Sequence, residues 1–175
     1  AMVGREVNDL YGAGMDIPKL DWKNEPVVFE AKNITDQNNY VKDISFQVHR
    51  GEIAGFSGLV GAGRSELMRA IFRADPRNGG TVMVDGKEVA GTSIKSSISA
   101  GLGLVPEDRK TEGLIQELSV LKNIGLAKLA DQGKMVLNNK QEEADCYDMI
   151  RQMEIKTANI DLAVKSLSGG NQQKV

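Results

Sequence analysis

Between Gly58 and Leu67 the chain reads GLVGAGRSEL. Gly58, Gly61 and Gly63 give a short turn the freedom to aim consecutive backbone N–H groups inward, and the helix-forming residues that follow bring a positive helix end to the same place. Such a loop suits the phosphates of ATP. Ala62, Arg64 and Glu66 complete it, and Ser65 is placed to give its hydroxyl to a phosphate-bound Mg²⁺. The usual pattern carries lysine before the hydroxyl residue, where this chain has Arg64. Lysine is a compact point charge on a flexible stem, whereas arginine brings a planar fork. The charge survives the exchange and the geometry does not. The loop is therefore expected to bind nucleotide and to be poorly suited to catalysis.

Three glycines in a turn also occur without any ligand, so the neighbouring elements decide the reading. EIAGFSG, ahead of the loop, is short, apolar and bounded by glycine, which predicts a buried strand over 53–56. Behind the loop, Leu67, Met68, Ile71 and Phe72 recur at helical spacing. Strand, glycine loop, helix is the order the motif requires. Upstream, YVKDISFQVHRGE alternates, with Ile44, Phe46 and Val48 on one face and Ser45, Gln47 and His49 toward solvent. TVMVDGKEV predicts a hairpin turning at Asp85-Gly86, and LGLV at 102–105 a buried strand ended by Pro106.

From Leu118 to Ile160 the pattern is helical. One stripe holds Leu118, Leu121, Ile124 and Leu129. A second helix, opened by Asn139 with Glu142 three residues on, holds Cys146, Met149, Ile150 and Met153. Both stripes read as core. Residues 1–26 show no sustained period and read as a linker or arm, with Tyr11 and Trp22 as anchors on a neighbouring surface.

The 175 residues, 41% of them apolar, are enough for one domain with a core. Lys plus Arg is 22 against 24 Asp plus Glu, and no basic run reaches five residues, which argues against a nucleic-acid footprint. Cys146 is the only cysteine, so neither an internal disulfide nor a cysteine metal cluster is expected. With no apolar run near 18 residues and no signal peptide at its start, the chain is expected to be cytoplasmic, reaching a membrane through a partner.

LSGGNQQKV, Leu167 to Val175, sets Ser168, Gly169 and Gly170 before another helix-forming run, a second place with open amides. A plain helix cap is the simpler reading of this motif alone. A phosphate loop followed by LSGG about one helical subdomain later resembles the ATP-binding cassette family. GLVGAGRSELMRAIF, GLVPEDRKTEGL and LSGGNQQKV are together similar to the second nucleotide-binding half of the tandem ATPase subunits of bacterial ribose-, galactose- and xylose-type importers. The likeness covers the whole chain, the leading MVGRE resembling the linker between the halves.

That resemblance implies an α/β fold: a P-loop, RecA-like parallel-sheet core, an antiparallel layer over about 27–50 and 80–90, and a helical subdomain over about 114–165. Residues 1–26 would be the linker and 27–175 a partial nucleotide-binding domain, incomplete at its C-terminal end, where the strand bearing the Mg²⁺-associated Asp, the catalytic Glu and a switch histidine would follow. It also implies ATP and Mg²⁺ as cofactors. Glu107 stands where most cassettes carry a glutamine that reaches Mg²⁺ and the attacking water. Thr35 or Asp36 occupies the place of an adenine-stacking aromatic, with Tyr40 too far along the chain, and Asn171 replaces a glutamine. Ser168, Gly169, Gly170 and Asn171 would serve ATP held by the other half of the same protein. The implied partners are that half, the membrane permease and, indirectly, a periplasmic or extracellular sugar-binding protein. The implied location is the cytoplasmic face of the membrane. A non-transport cassette acting on ribosomes or DNA, and a P-loop module outside the family, stand as alternatives. The first lacks a basic patch or coiled-coil insertion, and the second does not account for LSGG.

Overall fold

The computed structural model describes Asp21 and residues 24–132 and 139–175, with residues 127 and 129–132 described in backbone only. The expected anchors Tyr11 and Trp22 lie outside the described residues. Four antiparallel strands form one sheet in the order β2-β1-β3-β4: β1 Val27–Asp36, β2 Ile44–His49, β3 Arg77–Val84 and β4 Lys87–Glu88. β1 is central because it pairs with both β2 and β3. The β3–β4 turn falls at Asp85 and Gly86, whose φ of 46° and 73° supply the left-handed pair that a tight hairpin needs.

One position fixes the crossing of β1 and β3. Gly80 has φ +94°, and a Cβ there would stand 2.5 Å from the Lys32 carbonyl oxygen. Only glycine fits. Helix α1, Arg64–Phe72, then lays Leu67, Ala70 and Ile71 on Ala31, Ile34 and Val82 of the sheet. Fully burying an aliphatic side chain of this size stabilises by about 1.5–3 kcal/mol, so this layer is the principal core.

The remaining helices are α2 Ile94–Ser99, α3 Val120–Gln132, α4 Asn139–Gln152 and α5 Gly169–Lys174. Ser119 accepts from Lys122 N at 3.2 Å and opens α3. Buried Asn123 accepts from Ile115 N at 2.9 Å and donates to the carbonyls of Ile115, Leu118 and Ser119, so one amide organises the turn before α3. Backbone bonds from Val120 to Leu162 and from Leu121 to Ile160 stitch the chain after α4 against the start of α3.

Several expectations are corrected. Residues 53–56 form no strand, and Ile53 is 90% exposed. Residues 102–105 form none either, with Val105 exposed at the end of the run. Among the described residues no strand lies beside either segment, so their backbone groups have no ladder to join and the parallel sheet does not form. Phe56 ties the first segment to the sheet, edge-on to Phe46 at 4.8 Å between centroids. Cys146 is buried as expected, whereas Met149, Met153 and Leu118 are exposed. Helix α4 carries a narrower core stripe than its sequence suggests. Glu142 faces Lys122 at 3.3 Å across the α3–α4 contact. His49 is half-buried rather than solvated, its ring Nδ1 3.1 Å from Glu52 Oε2. Helix α2, begun by the Ser93 side chain accepting from Ser96 N, was not predicted, because TSIKSSIS has too few apolar residues to show a period.

Candidate nucleotide site

The glycine loop closes where α1 begins. Gly61 and Gly63 have φ of +83° and +81°, and Gly63, in left-handed conformation, is the N-cap. A Cβ on Gly63 would press on Val41 Cγ2 at 3.1 Å, so the position is closed to larger residues by both φ and space. No side chain caps α1, which leaves its first-turn amides open toward the loop. Arg64 and Ser65 are exposed at this end. Among the described residues nothing forms a hydrogen bond or ion pair with the Arg64 guanidinium.

Ser65 Oγ donates to Glu107 Oε2 at 3.0 Å. The segment carrying Glu107 folds into a π-helical turn over Arg109–Gly113, opened by Asp108, whose side chain accepts from Lys110 N at 2.9 Å. That N–H, with a further hydrogen bond from Thr111, holds the Asp108 carboxyl below its ordinary range. The same turn is pinned to α1 a second time by Glu112, which accepts from Arg69 Nη1 at 2.9 Å. Arg69 also grips Asp75 with Nε at 2.7 Å and Nη2 at 2.9 Å, a two-point pair that holds the Asp75 carboxyl low.

Between α1 and this turn lies a cavity of about 690 Å³, lined by Arg64, Ser65, Arg69, Glu107, Asp108 and Glu112 among others. Its anionic side would repel phosphate unless a cation stood between them. Ser65 Oγ and Glu107 Oε2 are two hard oxygen donors of the kind Mg²⁺ takes, and open amides with an unpaired arginine suit phosphate oxygens, so the residues present fit Mg²⁺-nucleotide.

A second cavity, of about 550 Å³, opens on the other side of Gly63 and Arg64. Tyr40, 75% exposed, lines it. Tyr40, too far along the chain for the expected aromatic position, is brought by the β1–β2 turn to the rim of the loop. Asp36 and Thr35 are used otherwise. Asp36 is buried and accepts from the amides of Val41 and Asn38, and Thr35 accepts from Asp43 N.

Of the residues singled out in the loop, Ser65 bonds Glu107 and Arg64 lines the same cavity, while Glu66 lines neither cavity. Gly58 and Gly61 are exposed, and a Cβ on Gly58 would stand 3.1 Å from Ala62 Cβ. Ser168, Gly169 and Gly170 are exposed at the start of α5 and also line neither cavity. Asn171 turns inward: it donates to Ser168 Oγ at 3.0 Å and accepts from Lys156 N at 2.9 Å. Arg69, Arg109 and Glu112 went unnoticed in the sequence, since charged residues on a polar stretch carry no periodic signal.

A family profile described as "ABC transporter" matches residues 41–175. The chain belongs to the ABC transporter family. The cassette is 47% identical over 181 residues to the xylose import ATP-binding protein XylG of Pseudomonas savastanoi, covering 99% of this chain and 34% of that protein. It is 38% identical over 175 residues to the ribose import ATP-binding protein RbsA of Bacillus cereus, with the same shares. This cassette thus spans about a third of the length of these curated relatives. Among solved structures, the ATP-binding cassette MJ0796 in a post-hydrolysis state bound to ADP and Pi superposes with a TM-score of 0.68 at 18% identity, covering 83% of this chain and 66% of that one. That likeness establishes an ABC cassette fold. No helix among the described residues is long and apolar enough to cross a membrane.

Proposed function

We propose that this cassette is part of the second nucleotide-binding half of a sugar importer's ATPase subunit, coupling ATP binding and hydrolysis to monosaccharide uptake. The observation that carries the reading is the Ser65–Glu107 hydrogen bond at the open end of α1, which joins two distant motifs where metal and phosphate would sit in this reading. Its similarity to xylose and ribose import ATP-binding proteins supports the sugar class. Residues 1–26 serve as linker, 27–175 as part of the nucleotide-binding domain and about 114–165 as its helical subdomain. The subunit sits at the cytoplasmic face of the membrane, against a permease that receives sugar from an external binding protein.

In this reading the first-turn amides of α1 and Arg64 hold the phosphates, while Ser65 and Glu107 face the Mg²⁺ that offsets the phosphate charge when bound. Tyr40 offers its ring face to the base. Arg64 attracts phosphate without lysine's reach between the β- and γ-oxygens, so this loop binds more than it turns over. Exposed Ser168, Gly169 and Gly170 are free to meet ATP held by the other half.

The test is equilibrium titration with fluorescent ADP and ATP, with and without Mg²⁺, on the purified chain. Mg²⁺-dependent binding without steady phosphate release is expected, reduced at least tenfold by Ser65→Ala and about three- to tenfold by Tyr40→Ala but not by Tyr40→Phe. Binding indifferent to both Ser65→Ala and Tyr40→Ala would place the nucleotide elsewhere and sink the reading.

A further inference from the structure

The segment that contacts α1 through Glu107 and, in its π-helical turn, Glu112 also reaches α5, through Arg109. Arg109 Nη1 donates to Gln173 Oε1 at 3.4 Å, and a Cβ built on Gly169 would stand 3.0 Å from Arg109 Nη2. The guanidinium therefore lies against the backbone at the first residue of α5. Its Nε is buried and has no hydrogen-bond partner.

Electrostatics alone does not explain this placement. A cation at the positive end of a helix opposes the helix dipole, so the contact gives α5 no stability through charge. The rest of NQQK is also engaged. Asn171 holds Ser168 Oγ, buried Gln172 donates to the Leu167 carbonyl at 2.9 Å, and Lys174 Nζ donates to the Glu154 carbonyl at 3.1 Å. The first two bonds close the start of α5 on itself, while Lys174, together with Asn171 accepting from Lys156 N, ties α5 to the segment after α4. Among these four residues, Gln173 is the one that reaches the segment of Glu107.

We infer that Arg109 is a positioning residue: through Gln173 and the Gly169 backbone it sets where Ser168–Gly170 stand relative to the segment whose Glu107 contacts Ser65. The inference rests on the proposed ATPase function, since Ser168–Gly170 matter to turnover only if they meet ATP. Arg109 touches no nucleotide in this scheme. Its loss leaves nucleotide affinity in place and lowers turnover by letting the start of α5 drift. A shorter cation can take over if its acceptor is made anionic, because a lysine–carboxylate pair restores the link that a neutral amide holds only through the arginine fork.

The experiment uses the full-length protein with its transport partners and reads three quantities: steady-state ATPase kcat, KM for ATP, and hydrogen exchange of the 169–174 amides without nucleotide. Arg109→Ala is expected to lower kcat about tenfold with KM within twofold and to speed exchange at 169–174. Arg109→Lys should fall between, and Arg109→Lys with Gln173→Glu should return kcat to within twofold of wild type. An unchanged kcat in Arg109→Ala, a rise in KM that matches the loss of kcat, or a double variant no better than Arg109→Lys overturns the inference. If Arg109→Ala does not fold, the two lysine variants decide by themselves. A wild-type protein that binds no Mg²⁺-ATP would instead sink the functional reading, and this inference with it.

Discussion

Ser65 and Glu107, 42 positions apart, share a hydrogen bond of 3.0 Å at the mouth of the cavity beside α1. Its acceptor is an acid where a neutral amide would make the same bond. An ionised carboxylate beside a phosphate site repels the nucleotide until a divalent cation stands between them. In the proposed site, glutamate at this position would make phosphate binding conditional on the metal.

Glu107→Gln should therefore raise affinity for metal-free ATP while lowering affinity for Mg²⁺-ATP. The ratio of the two dissociation constants should shrink about fivefold or more, equivalent to about 1 kcal/mol of metal-linked selectivity. Titrations in EDTA and in Mg²⁺ measure the ratio directly, and an unchanged ratio would mean that Glu107 does not face the metal.

Arg69 and Asp75 make stability depend on pH in a defined direction. Asp75 has its pKa lowered from the usual 3.8, first by its hydrogen bonds with Arg69. A carboxyl with a depressed folded-state pKa binds protons more readily in the unfolded chain, so its stabilising contribution is fully present above pH 3.8. It fades as the pH falls below that value through the depressed folded-state pKa. The Asp75 side chain is 41% exposed, so solvent screening limits the pair to about 0.5–1 kcal/mol. Urea melts of wild type and Asp75→Asn should differ by that amount at pH 7 and converge in strong acid. A constant difference down to pH 2 would assign the effect to packing.

Asn123 is a stability determinant away from the nucleotide. Its buried amide serves Ile115, Leu118 and Ser119, and truncation strands several of these backbone groups. Asn123→Ala should cost about 2–3 kcal/mol in thermal or urea unfolding. A loss below about 0.5 kcal/mol would show that water replaces the amide without difficulty.

Ser168→Arg should damage ATP turnover and sugar uptake by the complete transporter more than Arg64→Ala does. Ser168 is exposed, away from the cavity at Ser65, and would face ATP bound by the other half. A bulky side chain there blocks closure, and each group lost from a phosphoryl-transfer site typically costs about 2–4 kcal/mol at the transition state. In the proposed arrangement Arg64 would face the nucleotide of a loop poorly suited to catalysis, so its removal should mainly weaken binding. Equal collapse of the two variants would make this loop a catalytic site in its own right.

Local chemistry was legible in the sequence. The glycines that need positive φ, the Asp85–Gly86 turn, the helical period of α1 and the existence of β2 all depend on residues a few positions apart. Their sterics act within a turn or a strand, so a linear reading recovers them. Ser65 and Arg64 were likewise visible as a phosphate loop. What needed tertiary structure depends on which segments become neighbours. Only the packed chain brings Glu107 to Ser65, Tyr40 to the loop, Arg109 to Gln173 and the Lys156 amide to Asn171. The same dependence explains the strands that failed to appear at 53–56 and 102–105. An apolar run announces that it can be buried, but a strand exists only when another backbone lies beside it to take its hydrogen bonds, and no residue within the run can supply that.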